Sequence, residues 1–140
     1  MPDTPMTGLH HVAINVRDLE KSVQWYGDVL GFAALFPYDT DDFQRLIMRH
    51  ASGVVVGLTR HNHADADAAF SERRPGLDHL AFGVSSREEL EGWVKRLDDA
   101  GVAHSGVKET PATGSVLVAF RDPDNIQLEL YVAQGATASS

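Results

Sequence analysis

The chain has 140 residues, enough for one compact domain with a core of its own. A formal charge of −8 disfavours phosphate-backbone binding and leaves no basic stripe for nucleic acid, and the lack of cysteine excludes disulfides, thiolate nucleophiles and cysteine-ligated metal centres. No apolar run approaches membrane-spanning length, and Met1-Pro2-Asp3-Thr4-Pro5 has neither the basic start nor the apolar centre of a signal peptide. The expectation is a cytoplasmic protein without nucleic-acid or membrane partners.

Residues 1–7 read as a flexible lead-in. Leu9 to Val16 alternates with period two and predicts a strand whose apolar face is Val12, Ile14 and Val16. His11, Ala13 and Asn15 fall on its other face. Asp18 is a candidate helix N-cap; Leu19, Val23, Tyr26 and Leu30 recur at helical spacing, and Gly31 is a C-terminal stop. Trp25 and Tyr26 read as packing residues. Strands are predicted over 32–37, 43–49 and 53–59, with turns at 38–42 and 50–53. Residues 60–76 read as a polar connection. His61-Asn62-His63 and the Arg73-Arg74 pair within it read as solvated rather than as metal or anion ligands.

A second half begins at Leu77 to Val84, a strand with Leu80, Phe82 and Val84 inward and His79, Ala81 and Gly83 on the other face. Ser86 and Glu89 fit a capping box; Leu90, Trp93, Val94 and Leu97 form an apolar stripe, and Gly101 ends the helix. Strands are expected near 103–108, 115–121 and 126–132, with a turn at Asp122-Pro123-Asp124-Asn125. Ile126, Leu128, Leu130 and Val132 make an apolar face, so Gln127, Glu129 and Tyr131 project the other way. Residues 134–140 are expected to be a flexible tail. His10, His50 and His104 are assigned no chemistry.

Two histidines and a glutamate, each on the non-core face of a strand, make the ligand set of an open metal site. Singly, each reads as a structural or solvated residue; the repeat singles them out. His11 and His79 are 68 positions apart, Gly31 and Gly101 70 apart, and Gly57 and Glu129 72 apart. Two copies of about sixty residues with rising offsets predict a duplicated β-α-β-β-β unit.

On the stretches His11 to Leu19, Trp25-Tyr26 through Leu30-Gly31-Phe32, Asp78 to Phe82, and Asp122-Pro123-Asp124 leading to Glu129, the chain resembles the vicinal oxygen chelate superfamily. That superfamily includes glyoxalase I, fosfomycin-resistance transferases, bleomycin-resistance proteins and type I extradiol dioxygenases. The resemblance spans roughly Gly8 to Val132. It implies an α+β fold: two βαβββ modules forming a curved mixed-sheet cup with helices outside. The single domain would cover 8–133, with modules 8–60 and 77–133 and a linker 61–76. It also implies a homodimer and a small-molecule substrate, with the cup built within one chain or between two. The family's ligand positions map to His11, Gly57, His79 and Glu129, so Gly57 stands where glyoxalase I has a fourth ligand.

One divalent ion per site is expected on His11, His79 and Glu129, with Fe(II) favoured and Mn, Ni, Zn or Co able to serve. Glu129 is the candidate catalytic residue. Asn15, Val55, Gly57, Thr59, Gln127 and Tyr131 are the candidate substrate-binding residues, a mixed pocket without a charge cluster. The leading reading is a non-haem Fe(II) dioxygenase-like oxidoreductase, although Ala119 stands where extradiol enzymes carry a tyrosine and residues 110–115 lack their histidine. The alternatives are a glyoxalase-like lyase or epimerase, with Gly57 in place of a second carboxylate; a fosfomycin-type transferase, with Ala13 in place of its threonine and Ala138 in place of its arginine; and a ligand-sequestering protein of the bleomycin-binding kind.

Overall fold

The computed structural model describes residues 4–133. It divides at Ala68/Ala69 into two compact units, each an α+β module with one four-stranded mixed sheet. Residues 4–7 are exposed and lack regular structure. The expectations for residues 1–3 and 134–140 lie outside the described residues.

In the first unit the sheet order is β1-β4-β3-β2, with β1 at Val12–Asn15, β2 at Ala33–Pro37, β3 at Phe43–Arg49 and β4 at Val55–His61. β1 runs parallel to β4, and a parallel pair requires a crossover connection. Helix α1 (Leu19–Trp25) supplies it and packs on β3 and β4. Asp18 caps α1, its carboxylate accepting from Lys21 N at 3.0 Å. The helix then widens into one π-helical turn, Tyr26–Leu30, which buries Tyr26, Val29 and Leu30 together. Gly31 ends it at φ 85°, where a side chain would be strained. The π turn breaks the expected 3.6-residue spacing, which is why Val29 is buried and Val23 only half-buried.

The second unit repeats the plan in the order β5-β8-β7-β6: β5 at His79–Gly83, β6 at Lys108–Glu109, β7 at Val116–Arg121 and β8 at Gln127–Val132. β5 is parallel to β8, and α2 (Arg87–Asp99) packs on β7 and β8. Ser86 Oγ accepts from Glu89 N at 3.2 Å, while the Glu89 carboxylate accepts from the Ser85 N–H and hydroxyl rather than closing a full capping box on Ser86. Leu90 and Leu97 of α2 and Val118, Leu128 and Val132 of the sheet are fully buried.

Several predicted strands are shorter than expected. The first histidine strand begins at Val12, the second at His79, and the last at Gln127, because Asn125 adopts φ 67° in the turn. The strand predicted over 103–108 shrinks to a single His104–Phe120 bridge and the two residues of β6, interrupted by Gly106 at φ 70°. β4 instead runs on to His61, so this histidine belongs to the sheet rather than the connection. Its ring packs on Phe43 with centroids 5.7 Å apart. His63 caps the short 3-10 turn Ala64–Asp67.

Candidate metal and substrate site

The register aligns the predicted residues into matching rows. In the second unit, β5, β8 and β7 bring His79, Gln127 and Arg121 into one row. The next row is Ala81, Glu129 and Ala119, and the third is Gly83, Tyr131 and Leu117. Paired residues project to the same side of a sheet, so all nine share the face opposite the helix. The two alanines put only a methyl group on either side of Glu129.

His79 Nε2 lies 3.6 Å from Glu129 Oε1. That is too long for a hydrogen bond, but close to the roughly 3.0–3.4 Å that two donors keep when bound at about 2.1 Å to one ion. The outer atoms of both groups are already engaged. Asp78 Oδ1 takes His79 Nδ1 at 2.7 Å, and Gln127 Nε2 donates to Glu129 Oε2 at 2.9 Å. Gln127 Oε1 accepts from Arg121 Nη2 at 3.3 Å, and the same nitrogen donates to Glu72 Oε1 at 3.1 Å. That bond from Arg121 holds the Glu72 carboxyl below its ordinary pKa. Glu129, though buried, thus has one bonded oxygen and one left for a ligand. A carboxylate on the distal nitrogen is the usual device for fixing a metal-binding histidine's tautomer.

The first unit carries the same rows with different side chains. Gly57 pairs with Ala13 on one side and Ile47 on the other, and Thr59 likewise with Asn15 and Arg45. His11 directly precedes β1 and is exposed. Its Nδ1 is 2.8 Å from His10 Nδ1, so its Nε2, like that of His79, is left open. His10, assigned no role from sequence, therefore occupies the place of Asp78. Val55 lies opposite Arg49 at the start of β4. Gly57 sits in an unbroken register, so no bulge accounts for it. A β-carbon there would lie 3.3 Å from Ile47 Cδ1, 3.5 Å from Arg45 Cδ and 3.6 Å from Ala13 Cβ. Gly57 therefore faces the predicted side, and neighbouring side chains lean over it. The neighbouring Ser115 hydroxyl, with that of Thr113, holds the Tyr131 phenol below its ordinary pKa.

Among the described residues no three His, Cys, Asp or Glu side chains are gathered into a metal-binding set. The structure brings His79 and Glu129 together in one unit, and His11 stands in the other. Within the second unit the donor chemistry of this pair fits a divalent ion: an imidazole nitrogen facing an oriented carboxylate. Sequence reasoning missed Asp78, Arg121 and Arg45. Parity could have found the arginines, because Leu46 and Met48, like Val118 and Phe120, occupy the core-facing alternation.

Among the described residues no helix is long and apolar enough to cross a membrane. The model of the Glyoxalase/Bleomycin resistance protein/Dioxygenase superfamily matches residues 8–130. The uncharacterized protein YwkD of Bacillus subtilis is 30% identical, over 90% of this chain and 97% of its own length. A glyoxylase/bleomycin resistance protein/dioxygenase domain from Frankia sp. EAN1pec is 35% identical and superimposes with a TM-score of 0.84, covering 93% of this chain and 94% of that one. More distant relatives carry three different activities in their names. They are metallothiol transferase FosB of Staphylococcus saprophyticus, 26% identical over 88% of this chain and 75% of the relative; a probable lactoylglutathione lyase of Synechocystis, 28% over 87% and 92%; and a catechol-2,3-dioxygenase of Bacillus subtilis, 28% over 90% and 44%. With two βαβββ modules in place and the family model spanning almost all of the described chain, this protein belongs to the glyoxalase/bleomycin resistance protein/dioxygenase superfamily.

Proposed function

We propose that the chain is a metal-dependent enzyme acting on a small molecule, with one divalent ion held by His11, His79 and Glu129. The observation that carries this reading is the facing pair His79 Nε2 and Glu129 Oε1, each tethered through its outer atom to Asp78 or Gln127. His11 completes the set, either from the same chain or from a second copy in a homodimer. The alternative of a ligand-sequestering protein has no use for so ordered a pair.

Among the possible reactions, an Fe(II)-dependent, dioxygenase-like oxidation is the reading we favour. A three-ligand set leaves adjacent positions for substrate and oxygen. Bound there, such an ion supplies Lewis acidity and, as Fe(II), oxygen activation. The chain's own residues have simpler tasks. Glu129 and the histidines hold the ion, and Ala81 and Ala119 put only methyl groups beside Glu129. Asn15, Val55, Thr59, Gln127 and Tyr131 line the faces that position the substrate. A glyoxalase-like proton transfer is less well served, because Gly57 supplies no second carboxylate and its space is bordered by Ile47 and Arg45.

The test is anaerobic reconstitution with Fe(II), followed by oxygen-uptake measurements across a panel of small oxygenated substrates. Uptake that requires Fe(II) and is not replaced by Zn(II) is the expected result. Turnover without oxygen, supported equally by Mn(II) or Ni(II), would move the assignment to the lyase class.

Asp78→Asn offers a finer check on the same site. Removing the charge that holds His79 Nδ1 should weaken Mn(II) binding by about 10-fold or more, as loss of such outer partners does. Titration calorimetry reads it directly, and an unchanged affinity would remove Asp78 from the site.

A further inference from the structure

We infer that Arg45 is a subsite for the carboxylate of an organic monoanion, a specificity determinant within the site proposed above. The inference rests on that reading only in taking this sheet face as the one that meets substrate.

Arg45 projects from β3 on the face shared with Asn15 and Thr59, the same side as Ala13 and Gly57. Its stem crosses the space above Gly57, with Cδ 3.5 Å from where a β-carbon would be. Nε donates to Thr59 Oγ1 at 2.8 Å, and Thr59 is almost wholly buried. The guanidinium lies over the Phe43 ring, 4.3 Å from its centroid, and 5.8 Å from that of Tyr38. Tyr38 and Phe43 are themselves stacked, 12° from parallel. The group is therefore anchored at one nitrogen and along one face.

What remains is the edge bearing the two terminal nitrogens. Among the described residues no carboxylate reaches it. Asp39 spends its Oδ1 on the Arg45 main-chain N–H at 3.1 Å. Arg60 and Arg121, by contrast, are each paired with a carboxylate. In a chain with 20 acidic and 12 basic residues, a fixed arginine without an acidic partner is a site arranged for an anion from outside.

The shape and charge of the site choose the anion. Two parallel N–H donors match a planar carboxylate held by both oxygens. The site presents one positive charge, which balances a monoanion better than a doubly charged phosphate. Tyr38 and Phe43 add apolar surface beside the fork, suited to a ligand with an aromatic or aliphatic body.

Benzoate is the probe, with acetate and inorganic phosphate as comparisons. The protein is stripped of metal by chelation, and the Arg45 Nε–Hε resonance is followed by 15N NMR. Benzoate should shift that resonance saturably, more tightly than acetate or phosphate. Arg45→Met, which keeps the stem, should weaken benzoate binding by about 10-fold or more. Arg45→Lys should recover only part, since a point charge cannot form the fork. An Arg45 resonance indifferent to benzoate overturns the proposal even if the variants fail to fold. Phosphate binding more tightly than benzoate, or undiminished benzoate binding by a folded Arg45→Met, overturns it too. A separate Mn(II) titration of the parent protein keeps the two readings apart. Benzoate binding without Mn(II) binding sinks the metal site alone, and Mn(II) binding with no effect of benzoate on Arg45 sinks this one alone.

Discussion

Glu129→Gln should lower the affinity for Mn(II) by about 100-fold or more, beyond the 10–100-fold typical of losing an outer-shell partner. The substitution keeps the size of the side chain and an oxygen to accept from Gln127 Nε2, now at 2.9 Å from Glu129 Oε2. It removes the negative charge of the one carboxylate that faces His79 Nε2. Glu129 is buried, so its charge is costly without a cation and strongly attractive with one. The metal-free variant should consequently melt no lower than the metal-free parent. Melting curves with and without Mn(II) separate the effects: the parent is stabilised by the ion and the variant is not. If Glu129→Gln gained the same stabilisation from Mn(II) as the parent, the carboxylate would not be a ligand.

The largest loss of stability is expected at Leu128. This side chain is completely buried in β8, the strand between β5 and β7 on which α2 also packs. Leu128→Ala removes buried methyl groups and leaves a cavity that strands paired on both sides cannot easily close. The cost should be about 3 kcal/mol, within the range for such truncations. For a chain of this length that lowers the melting temperature by about 10 °C. The same substitution at Leu9, which is 89% exposed, should stay within about 0.5 kcal/mol of the parent. Urea denaturation of the two variants side by side gives the comparison, and equal midpoints would contradict the burial pattern.

Alternation made the histidine faces legible in the sequence. Val12, Ile14 and Val16 had to point inward, which placed His11, Ala13 and Asn15 outward, and the structure has them so. The helix starts at Asp18 and Ser86 were legible because a cap is a local interaction among neighbouring residues. Strand length was not, because ladder ends depend on partners far along the chain; the bridge at His104 is held by Phe120, and no local pattern reveals that it is only a bridge. Arg45 and Arg121 escaped for a related reason. Their parity is visible, but the register that sets Arg45 beside Thr59 and Arg121 beside Gln127 is a tertiary fact. Each arginine lies on its own sheet's face opposite the helix, Arg45 in the first unit and Arg121 in the second. The tie of Asp78 to His79 joins adjacent residues, yet adjacency in a strand normally means opposite faces, so nothing in the pattern suggested it.

The central rows of the two modules, Ala81-Glu129-Ala119 and Ala13-Gly57-Ile47, began as copies of one design and are no longer interchangeable. A side chain at position 57 would crowd Ile47, which stands where the other copy has Ala119, and would touch the stem of Arg45. Shrinking Ile47 first would leave a hole in the sheet face with nothing to fill it. Each single step toward a symmetrical pair of carboxylates is therefore disfavoured until the other has been taken. The two halves have thereby lost their interchangeability: a side chain that suits the central row of one no longer suits the matching row of the other.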